Sequence, residues 1–469
     1  MLIRCNVFPG DRLTYALYAI AAAAAVLVFG NLAVRLAGGK KIQFTFNMLV
    51  LASLLSMFAY MLLTGASGVL LGTFSANPFS LLFASLFTVG LMLVNLIAFP
   101  YSDEYGDFAV ISSFALAGMY VVASSTSLIT IFLGLEMSVL PMVFIILFST
   151  RGLESAAKLF IMAAISIAVL SFAIILAYGS TNSFALSYYG KATLLSFAAL
   201  LFIASLGFEA SIFPFNILVP DIYTGAPAYV TAMLGGINKK VGYVALIQVL
   251  VILFATSSTA FMVIAILSVL TMFYGNIVAL MQRNTKRMLA YSSISQAGYM
   301  LIGIAVSGSS GIAATIFQIF SHLFIFIGML AVIAVLESRN RSEVDDVIGL
   351  SGENRFAAFA MSVFMLSLIG LPMTTGFVGK FLLFMSAVNS GLLWLAIFGI
   401  INTAISVFYY ARVIMAMYAS KEGARPLALP LTVSAAIAVC LVITVLFGIF
   451  PAPIAGLANS AASFITSVG

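Results

Sequence analysis

The sequence predicts an all-α integral membrane protein with about fourteen transmembrane helices. Of its 469 residues, 63% are hydrophobic and only 7% are charged, and the mean hydropathy is +1.21. A water-soluble domain of this length needs far more charged surface to stay dispersed. Apolar runs that can cross a hydrocarbon core of about 30 Å recur along the whole chain, and they are too long for barrel strands. The sequence therefore leaves no room for a separate soluble domain.

The apolar runs form consecutive spans joined by short loops. The first run follows Arg4 and Arg12, as in a signal peptide, but it is too long for one and no small-residue cleavage site follows it. It is therefore counted as the first span. The spans are predicted near 14–37, 44–64, 78–100, 107–124, 126–149, 155–178, 192–218, 228–255, 259–281, 286–307, 311–337, 355–389, 392–418 and 429–450.

The basic residues predict the orientation of the chain. Most lysines and arginines fall in the loops after odd-numbered spans, whereas the opposite side has only Arg4, Arg12 and Lys191. The positive-inside rule places the basic loops in the cytoplasm and both termini outside. We therefore expect a multi-pass protein of the cell inner (cytoplasmic) membrane. This asymmetry accounts for the net charge of +6. The sequence contains no clustered basic face of the kind that binds nucleic acid.

Two spans contain helix breakers at membrane depth. Residues 207–227 include Pro214 and Pro220, and residues 370–380 include Pro372 with several glycines. Proline removes a backbone donor and interrupts the helical hydrogen bonds. Irregular backbone inside a membrane is tolerated where it is buried in protein or lines a wet cavity. One such break would indicate an ordinary kink, but two, each near a charged residue, favour a transporter built from inverted repeats.

Seven ionisable residues interrupt the apolar spans. Each costs at least about 2.5 kcal/mol at the bilayer centre, so pairing, hydration or a function must retain it. Burial shifts lysine and glutamate pKa values towards neutrality, so a string of such groups can hand protons along. The alternative is a set of static ion pairs that fix helix packing. The seven residues are Glu136, Lys158, Glu209, Lys239, Lys240, Lys380 and Arg412.

Some of these residues have a simpler interpretation as well. Lys158 lies close to a helix start and could reach the interface, and Arg412 could be an interfacial anchor. Lys239 and Lys240 are neighbours, so only one of them can face a given direction on a helix. His322 is a possible relay group, or a hydrogen-bonded packing residue.

Ligand patterns for redox cofactors and metals are missing from the sequence. The two cysteines, Cys5 and Cys440, lie at opposite ends of the chain and are expected to be isolated thiols. His322 is the only histidine, and no iron–sulfur, haem or zinc spacing is present. We expect no cofactor or metal site in this chain, so any electron transfer must occur in another chain.

Four strings of the sequence carry a family resemblance. LGLEMSVLP, FPFNILVPDIYTGAP, QRNTKRMLAYSSISQAGYMLIG and LPMTTGFVGKF together resemble the antiporter-like subunits of complex I and their Mrp-type antiporter relatives. The PDIYTGAP form looks most like the N-type subunit, which is equivalent to mitochondrial subunit 2. The resemblance implies a membrane-arm subunit of a proton-pumping dehydrogenase. It also implies partner subunits in the membrane arm and the redox module, with flavin, iron–sulfur clusters and quinone held by those partners.

The resemblance also implies roles and repeats. Glu136 matches a modulating glutamate, Lys158 a further lysine of N-type subunits, and Lys239 the central lysine. Lys380 matches the lysine of a broken helix that is assigned to proton exit or to transfer onward. Two inverted five-helix repeats are implied. The expected divisions are N-terminal helices at 1–106, repeats at 107–255 and 259–418, and a C-terminal helix at 429–469.

Two positions depart from the family pattern. GFE places Glu209 where the family usually has a lysine, and Gln296 stands where many relatives have histidine. Glu136 and Glu209 could not both ionise cheaply, so we expect them to titrate as a coupled pair. The hypothesis is that Glu209 is a protonatable site with Lys158 supplying nearby positive charge; otherwise this half-channel is impaired.

Three functions remain open from the sequence. The first is the proton-pumping dehydrogenase subunit, with NADH, ferredoxin or a reduced deazaflavin as the electron donor of the complex. The second is an Mrp-type Na⁺/H⁺ antiporter subunit or a membrane-bound hydrogenase subunit. The third is a membrane scaffold without transport, in which neutralising Lys239 or Lys380 leaves pumping intact.

Overall fold

The chain is almost entirely helical in a computed structural model that describes residues 22–468, apart from positions 23, 66, 71, 148–151, 188–192, 256 and 422–425. Strands β1 (Gly68–Leu70) and β2 (Phe74–Ala76) form one antiparallel hairpin. The helices are α1 Val26–Ala37, α2 Lys40–Thr64, α3 Pro78–Tyr101, α4 Tyr105–Ser124, α5 Leu128–Leu147, α6 Leu153–Thr181, α7 Thr193–Ala210, α8 Val219–Gly225, α9 Ala228–Leu253, α10 Ser258–Leu280, α11 Thr285–Val306, α12 Ser309–Glu337, α13 Leu350–Glu353, α14 Arg355–Ile369, α15 Thr375–Asn389, α16 Leu393–Tyr418, α17 Leu431–Ile449 and α18 Ala452–Val468.

The helices have the length and composition expected of a membrane protein. Over the described ranges, eleven of them are long and apolar enough to cross a bilayer, and α1, α7, α14 and α15 are shorter apolar helices. The prediction of an all-helical membrane protein is therefore confirmed. Of the first predicted span, 14–37, the structure shows the part in α1, and Arg4, Cys5, Arg12 and Lys191 lie outside the described residues.

Both predicted helix breaks are present. Helix α7 ends at Ala210 and α8 begins at Val219, with Pro220 at the start of α8 where its missing N–H costs nothing. Helix α14 ends at Ile369, and Gly370 at φ 103° turns the chain out of the helix before α15 begins. Only glycine adopts this backbone conformation without strain. The predicted span 355–389 is therefore two helices, α14 and α15, and the predicted span 192–218 is helical only up to Ala210 and continues as non-helical backbone to the start of α8.

Three helices form the centre of the molecule. The membrane-spanning windows of α9 and α12 are completely buried, and that of α11 is 94% buried. By contrast, only about a third of the corresponding windows of α2, α6 and α17 is buried, so these helices form the outer surface. Polar side chains on α9, α11 and α12 are thus screened from lipid by other helices.

The C-terminal region contains one helix more than predicted. Residues 429–469 were expected to form a single helix, but α17 ends at Ile449 and α18 begins at Ala452, beyond Pro451. Helix α18 packs against α12 and α3. Its small residues Ala458, Ala461 and Ala462 are buried, and side chains of this size allow close helix packing in membranes. The helix was missed because its alanines and serines give it a modest hydropathy.

The basic loops meet one another on one side of the molecule. Arg35 forms an ion pair with Asp107 at 2.8 Å, which ties the end of α1 to α4. Lys40 donates a hydrogen bond of 2.7 Å to the carbonyl of Ser102. The loop after α12 is closed by an ion pair between Arg341 and Glu353. Ser338 and Arg339, just beyond the end of α12, lie beside Tyr101 at the end of α3. These loops therefore share one face, which is called the basic side below.

A buried amide cluster joins the N-terminal helices. Asn47 donates to Asn95 Oδ1 at 3.0 Å, and the Tyr105 hydroxyl donates to the same oxygen at 2.7 Å. Asn31 and Gln43 extend the cluster through a hydrogen bond of 2.9 Å. All five side chains are buried, so water does not compete for these hydrogen bonds. The bonds join the four helices α1, α2, α3 and α4.

Candidate functional site

Lys239 lies beside a small buried cavity that it shares with Glu209. Lys239 follows a π-helical stretch, Leu234–Asn238, within α9, and such stretches occur often at functional sites. Its ammonium nitrogen is buried, has no hydrogen-bond partner in the described part of the chain, and lies 4.4 Å from the centre of the Tyr223 ring. The cavity has a volume of about 30 Å³, enough for one or two water molecules.

Several polar atoms face this cavity without a protein partner. Ser211, Tyr223 and Asn238 line it, and each has an oxygen that is buried and makes no hydrogen bond within the described residues. Buried polar atoms are nearly always hydrogen-bonded to protein or water. Together with Lys239 and Glu209, they place five polar side chains among the apolar residues of the cavity wall.

Lys240 points away from this cavity, as expected for the neighbour of Lys239 on a helix. Its ammonium nitrogen lies 2.8 Å from His322 Nδ1 and donates to the carbonyl oxygen of Gly235 at 2.8 Å. His322 stacks on Phe326, with ring centres 5.2 Å apart. Both possible relay residues, Lys240 and His322, are thus brought together from helices α9 and α12.

The polar groups continue from His322 towards Lys380. Gln318 lies one turn before His322 on α12 and donates to Gln296 on α11 at 3.1 Å. It also packs against Gly379, where a β-carbon would come within 2.1 Å of the Gln318 side-chain oxygen. Only a glycine at this position therefore lets α12 and α15 approach this closely. Gly379 directly precedes Lys380 on α15.

Lys380 is buried at the second helix break. Its ammonium donates to the carbonyl oxygen of Leu368 at 2.6 Å and lies 4.3 Å from the centre of the Tyr299 ring. Leu368 is in the last turn of α14, where carbonyl groups lack intrahelical partners. The lysine therefore supplies the hydrogen bond that the broken helix lost.

Glu136 and Glu209 lie at the other end of this line. Both are partly buried, and Glu136 is close enough for its charge to act on Glu209. The side chain of Ser166 lies beside the Glu209 carboxyl. Glu209 also packs against Gly242 of α9, where a β-carbon would come within 2.8 Å of the glutamate side chain. The structure thus brings together the two carboxyl groups that the sequence suggested as a pair.

The hypothesis that Lys158 supplies positive charge to these two glutamates is wrong. The Lys158 ammonium forms ion pairs with Glu154 at 2.6 Å and with Asp221 at 2.9 Å, because these carboxylates are nearer to it on the basic side. Asp221 also pairs with Arg287 at 2.7 Å. Burial raises the pKa of the Asp221 carboxyl, but hydrogen bonds from Lys158 and Arg287 outweigh burial and hold its pKa below the usual value.

Asp221 was missed in the sequence analysis. It lies in the PDIYTGAP string, just beyond the first helix break, and a charged residue at that place was the available signal. Arg412 fits its simpler interpretation, since it donates to the carbonyl oxygen of Gln282 at 2.7 Å just beyond the end of α10. Within the described ranges, no three His, Cys, Asp or Glu side chains lie close enough to hold a metal ion.

Known proteins resemble this chain in sequence. A family model described as NADH:quinone oxidoreductase/Mrp antiporter, transmembrane, matches residues 125–406. NADH-quinone oxidoreductase subunit N from Desulforamulus reducens is 35% identical over 418 residues, which cover 84% of this chain and 87% of the relative. The F(420)H(2) dehydrogenase subunit N from Methanosarcina mazei is 33% identical over 416 residues, covering 83% of this chain and 84% of the relative.

Solved structures resemble it as well. A chain of respiratory complex I from Thermus thermophilus superposes with a TM-score of 0.83 at 26% identity, covering 94% of this chain and 99% of that one. A chain of the Mrp complex from Dietzia sp. has a TM-score of 0.88 at 19% identity and covers 97% of each chain, a similarity that shows the fold alone. The matched sequence and the shared architecture show that the chain belongs to the NADH:quinone oxidoreductase/Mrp antiporter transmembrane family.

Proposed function

We propose that this chain is a membrane-arm subunit of a complex I-like, proton-pumping dehydrogenase and that it carries protons through its interior. Relatives that align over most of its length are named as N subunits of NADH-quinone oxidoreductase and F(420)H(2) dehydrogenase. Redox chemistry takes place in partner subunits, which hold the flavin, the iron–sulfur clusters and the quinone. The complex lies in the inner (cytoplasmic) membrane, with both termini of this chain outside.

One observation carries the proposal: ionisable and polar side chains from separate helices follow one another through the interior of the protein. The line starts at Glu136 and Glu209, crosses the Lys239 cavity, and passes from Lys240 to His322. Beyond His322 lie two hydrogen-bonded glutamine side chains, and one of them packs against Gly379, the neighbour of Lys380. Keeping such groups in a membrane protein is costly, and a packing role alone would be served by apolar side chains.

The geometry supports proton transfer along this line in steps. Among the described residues Lys239 has no hydrogen-bond acceptor, so its ammonium is stabilised by the Tyr223 ring and by any water in the cavity. A neighbouring charge can therefore change its protonation. Lys240 and His322 lie within direct transfer distance of each other. Each charge that arrives or leaves alters the electrostatic energy of the next group, which is how coupling to neighbouring subunits would act.

The finer architecture is part of the same proposal. We assign fourteen spans, with inverted repeats at 107–255 and 259–418, N-terminal helices at 1–106 and C-terminal helices at 429–469. The two breaks, between α7 and α8 and between α14 and α15, fall at corresponding places in the proposed repeats. Each break lies next to a relay residue, which fits broken helices that line an ion pathway.

The test replaces Lys239 in the assembled complex. Membrane vesicles with Lys239→Met are supplied with the electron donor, and donor oxidation and vesicle acidification are followed together. We expect pumping to fall by about 10²-fold, the loss typical when a positioned proton carrier is removed. The matched control is Lys41→Met, which removes an exposed lysine at the start of α2. Full pumping by an assembled Lys239→Met complex would contradict the proposal.

A second pair of variants tests the departure at Glu209. Glu209→Gln keeps the shape of the side chain but cannot take up a proton, and Glu209→Asp keeps the carboxyl group. Loss of pumping in the first variant with partial recovery in the second indicates that protonation at this position is essential. Normal pumping by assembled Glu209→Gln would place Glu209 outside the relay. Retained sodium transport without donor oxidation would favour the Na⁺/H⁺ antiporter function instead.

A further inference from the structure

Four charged side chains form a chain of ion pairs at the basic side, next to the Lys239 cavity. Glu154 pairs with Lys158 at 2.6 Å, Lys158 with Asp221 at 2.9 Å, and Asp221 with Arg287 at 2.7 Å. The central pair joins α6 to α8, the short helix beyond the first break. None of the four residues lies on the relay line from Glu209 to Lys380 that the cavity and hydrogen bonds define.

The sequence of α6 shows how this cluster lies relative to the cavity. Glu154 in the first turn is 79% exposed, and Lys158 one turn later is 26% exposed. The next positions inward, Leu159 and Met162, are buried and line the cavity. One turn deeper, Ser166 lies beside the Glu209 carboxyl. An α-helix rises by about 1.5 Å per residue, so a path along α6 from the surface towards Glu209 passes the Lys158–Asp221 pair before it reaches the cavity.

Helix α8 contributes to the cavity wall on both sides of Asp221. Val219 precedes it, and Ile222 and Tyr223 follow it directly. Lys158 and Asp221 are therefore each followed in sequence by a residue of the cavity wall. Their ion pair joins α6 to α8 next to the cavity wall, beside the hydrogen bond of 3.3 Å that the Ser155 hydroxyl donates to the carbonyl oxygen of Asp221.

We propose that the Lys158–Asp221 ion pair is the closed gate of the basic-side entrance to the Lys239 cavity, and that Asp221 positions this gate. The inference rests on the proposed function, since it names the route by which a proton reaches Lys239. In the closed state the pair links the side chains of α6 and α8 beside the cavity wall. Opening separates the two side chains and admits water to the cavity.

The second partners make opening inexpensive. Breaking a partly buried pair is costly when it leaves a charge unpaired. Here Lys158 can stay with Glu154, and Asp221 can stay with Arg287, so neither is left alone. The gate thus has two paired states. In one, Lys158 pairs with Asp221; in the other, Lys158 pairs only with Glu154 and Asp221 only with Arg287.

The backbone beside Asp221 is held in place, so the motion belongs to the side chains. Lys286 donates to the carbonyl oxygen of Ala226 at 2.6 Å and to Glu337 at 2.6 Å. Glu337 also accepts from the N–H of Ala228 at 2.7 Å. These bonds fix the connection from α8 to α9 against α11 and α12.

The test measures access of water-soluble reagent to the cavity. A Leu159→Cys reporter places a thiol in the cavity wall, and the assembled complex in inverted vesicles is treated with a small methanethiosulfonate from the basic side. Modification of the reporter peptide is followed by mass spectrometry. Native Cys440, which is fully buried in α17, is an internal control for general loosening of the fold.

Asp221→Asn should raise the modification rate of the reporter by up to about fivefold, since a partly exposed ion pair biases an open–closed equilibrium by no more than this. Asp221→Glu should restore slow modification. Glu154→Gln should leave modification slow, because the Lys158–Asp221 pair remains. Arg35→Gln, which breaks the basic-side pair with Asp107, should also have no effect. If Asp221→Asn prevents assembly, Lys158→Met breaks the same pair and should give the same increase.

Three results would overturn the gate. These are an unchanged rate in Asp221→Asn, an equal increase at Cys440, or fast modification in Glu154→Gln. Modification reports only whether the cavity opens, so these results leave the pumping test of Lys239→Met unaffected. Conversely, normal pumping by Lys239→Met would count against the relay while reagent access to the cavity still measured the gate.

Discussion

Gly235 offers a way to disturb the relay without removing a charge. It lies in the π-helical stretch before Lys239, and its carbonyl oxygen accepts a hydrogen bond from Lys240. A β-carbon at this position would come within 2.5 Å of the Tyr223 hydroxyl and within 2.4 Å of the Phe326 ring. Gly235→Ala therefore pushes on two aromatic rings, one that faces Lys239 and one that stacks on His322.

The size of the effect follows from these distances. Ordinary contacts of a β-carbon begin at about 3.4 Å, so the rings must move by roughly 1 Å. Overpacking of this kind costs about 1–3 kcal/mol, partly offset by the gain of about 1 kcal/mol from replacing a helical glycine with alanine. Displacing reacting groups by about 1 Å can lower a rate by about 10²-fold. We expect a small loss of stability and a large loss of pumping.

The neighbouring glycine is the matched control. A β-carbon at Gly236 would come within 2.6 Å of Ile327, an apolar side chain of α12. Gly236→Ala thus causes a similar clash in the same π-helical stretch, but it presses on no ring that contacts a relay residue. Thermal unfolding of the purified complex measures stability, and donor-driven acidification of vesicles measures pumping. A third variant, Gly179→Ala, meets no atom within 4 Å and checks for effects of alanine alone.

The two alanine variants should therefore lose similar stability but differ in pumping. Equal pumping losses in Gly235→Ala and Gly236→Ala would show that general packing of α9 decides the rate. Normal pumping in both would show that Tyr223 and Phe326 need not be held in place. Either result would refute the geometric argument for proton transfer near Lys239.

Two further predictions concern stability. Arg341→Gln leaves the buried Glu353 carboxylate without its main partner and should lower the free energy of unfolding by about 3 kcal/mol; no change in thermal unfolding would show that the more distant Lys421 suffices. Asn95→Leu removes the oxygen that accepts from Asn47 and Tyr105 and should cost about 1–3 kcal/mol, because both donors stay buried and unpaired. Unfolding that is unaffected by Asn95→Leu would mean that the cluster rearranges to satisfy them.

Local chemistry made much of the fold predictable. Proline limits what the backbone can do, so Pro220 and Pro372 marked the two breaks from sequence alone. Adjacent positions on a helix face different ways, so the separation of Lys239 from Lys240 was expected and is confirmed. These conclusions depend on a few neighbouring residues, which the sequence shows directly.

Contacts between distant segments could not be predicted in the same way. Lys240 and His322 are 82 residues apart, and Lys158 and Asp221 are 63 residues apart, so hydropathy and spacing give no information on their distance in space. The role assigned to Lys158 was wrong for this reason. Its ammonium pairs with Glu154 and Asp221, which lie nearer to it than Glu209 does. Helix α18 was missed because small residues hide a packed helix from a hydropathy profile.

Helix α12 also determines how the protein should respond to its lipid surroundings. This helix is enclosed on every side in the membrane-spanning window, whereas α2, α6 and α17 present broad apolar faces outward. A thinner or thicker bilayer acts on outward-facing helices first, through tilt and local deformation of the lipid. His322 and Gln318 are therefore insulated from bilayer thickness by a full layer of protein, and changes in lipid composition should reach them only through movements of the outer helices.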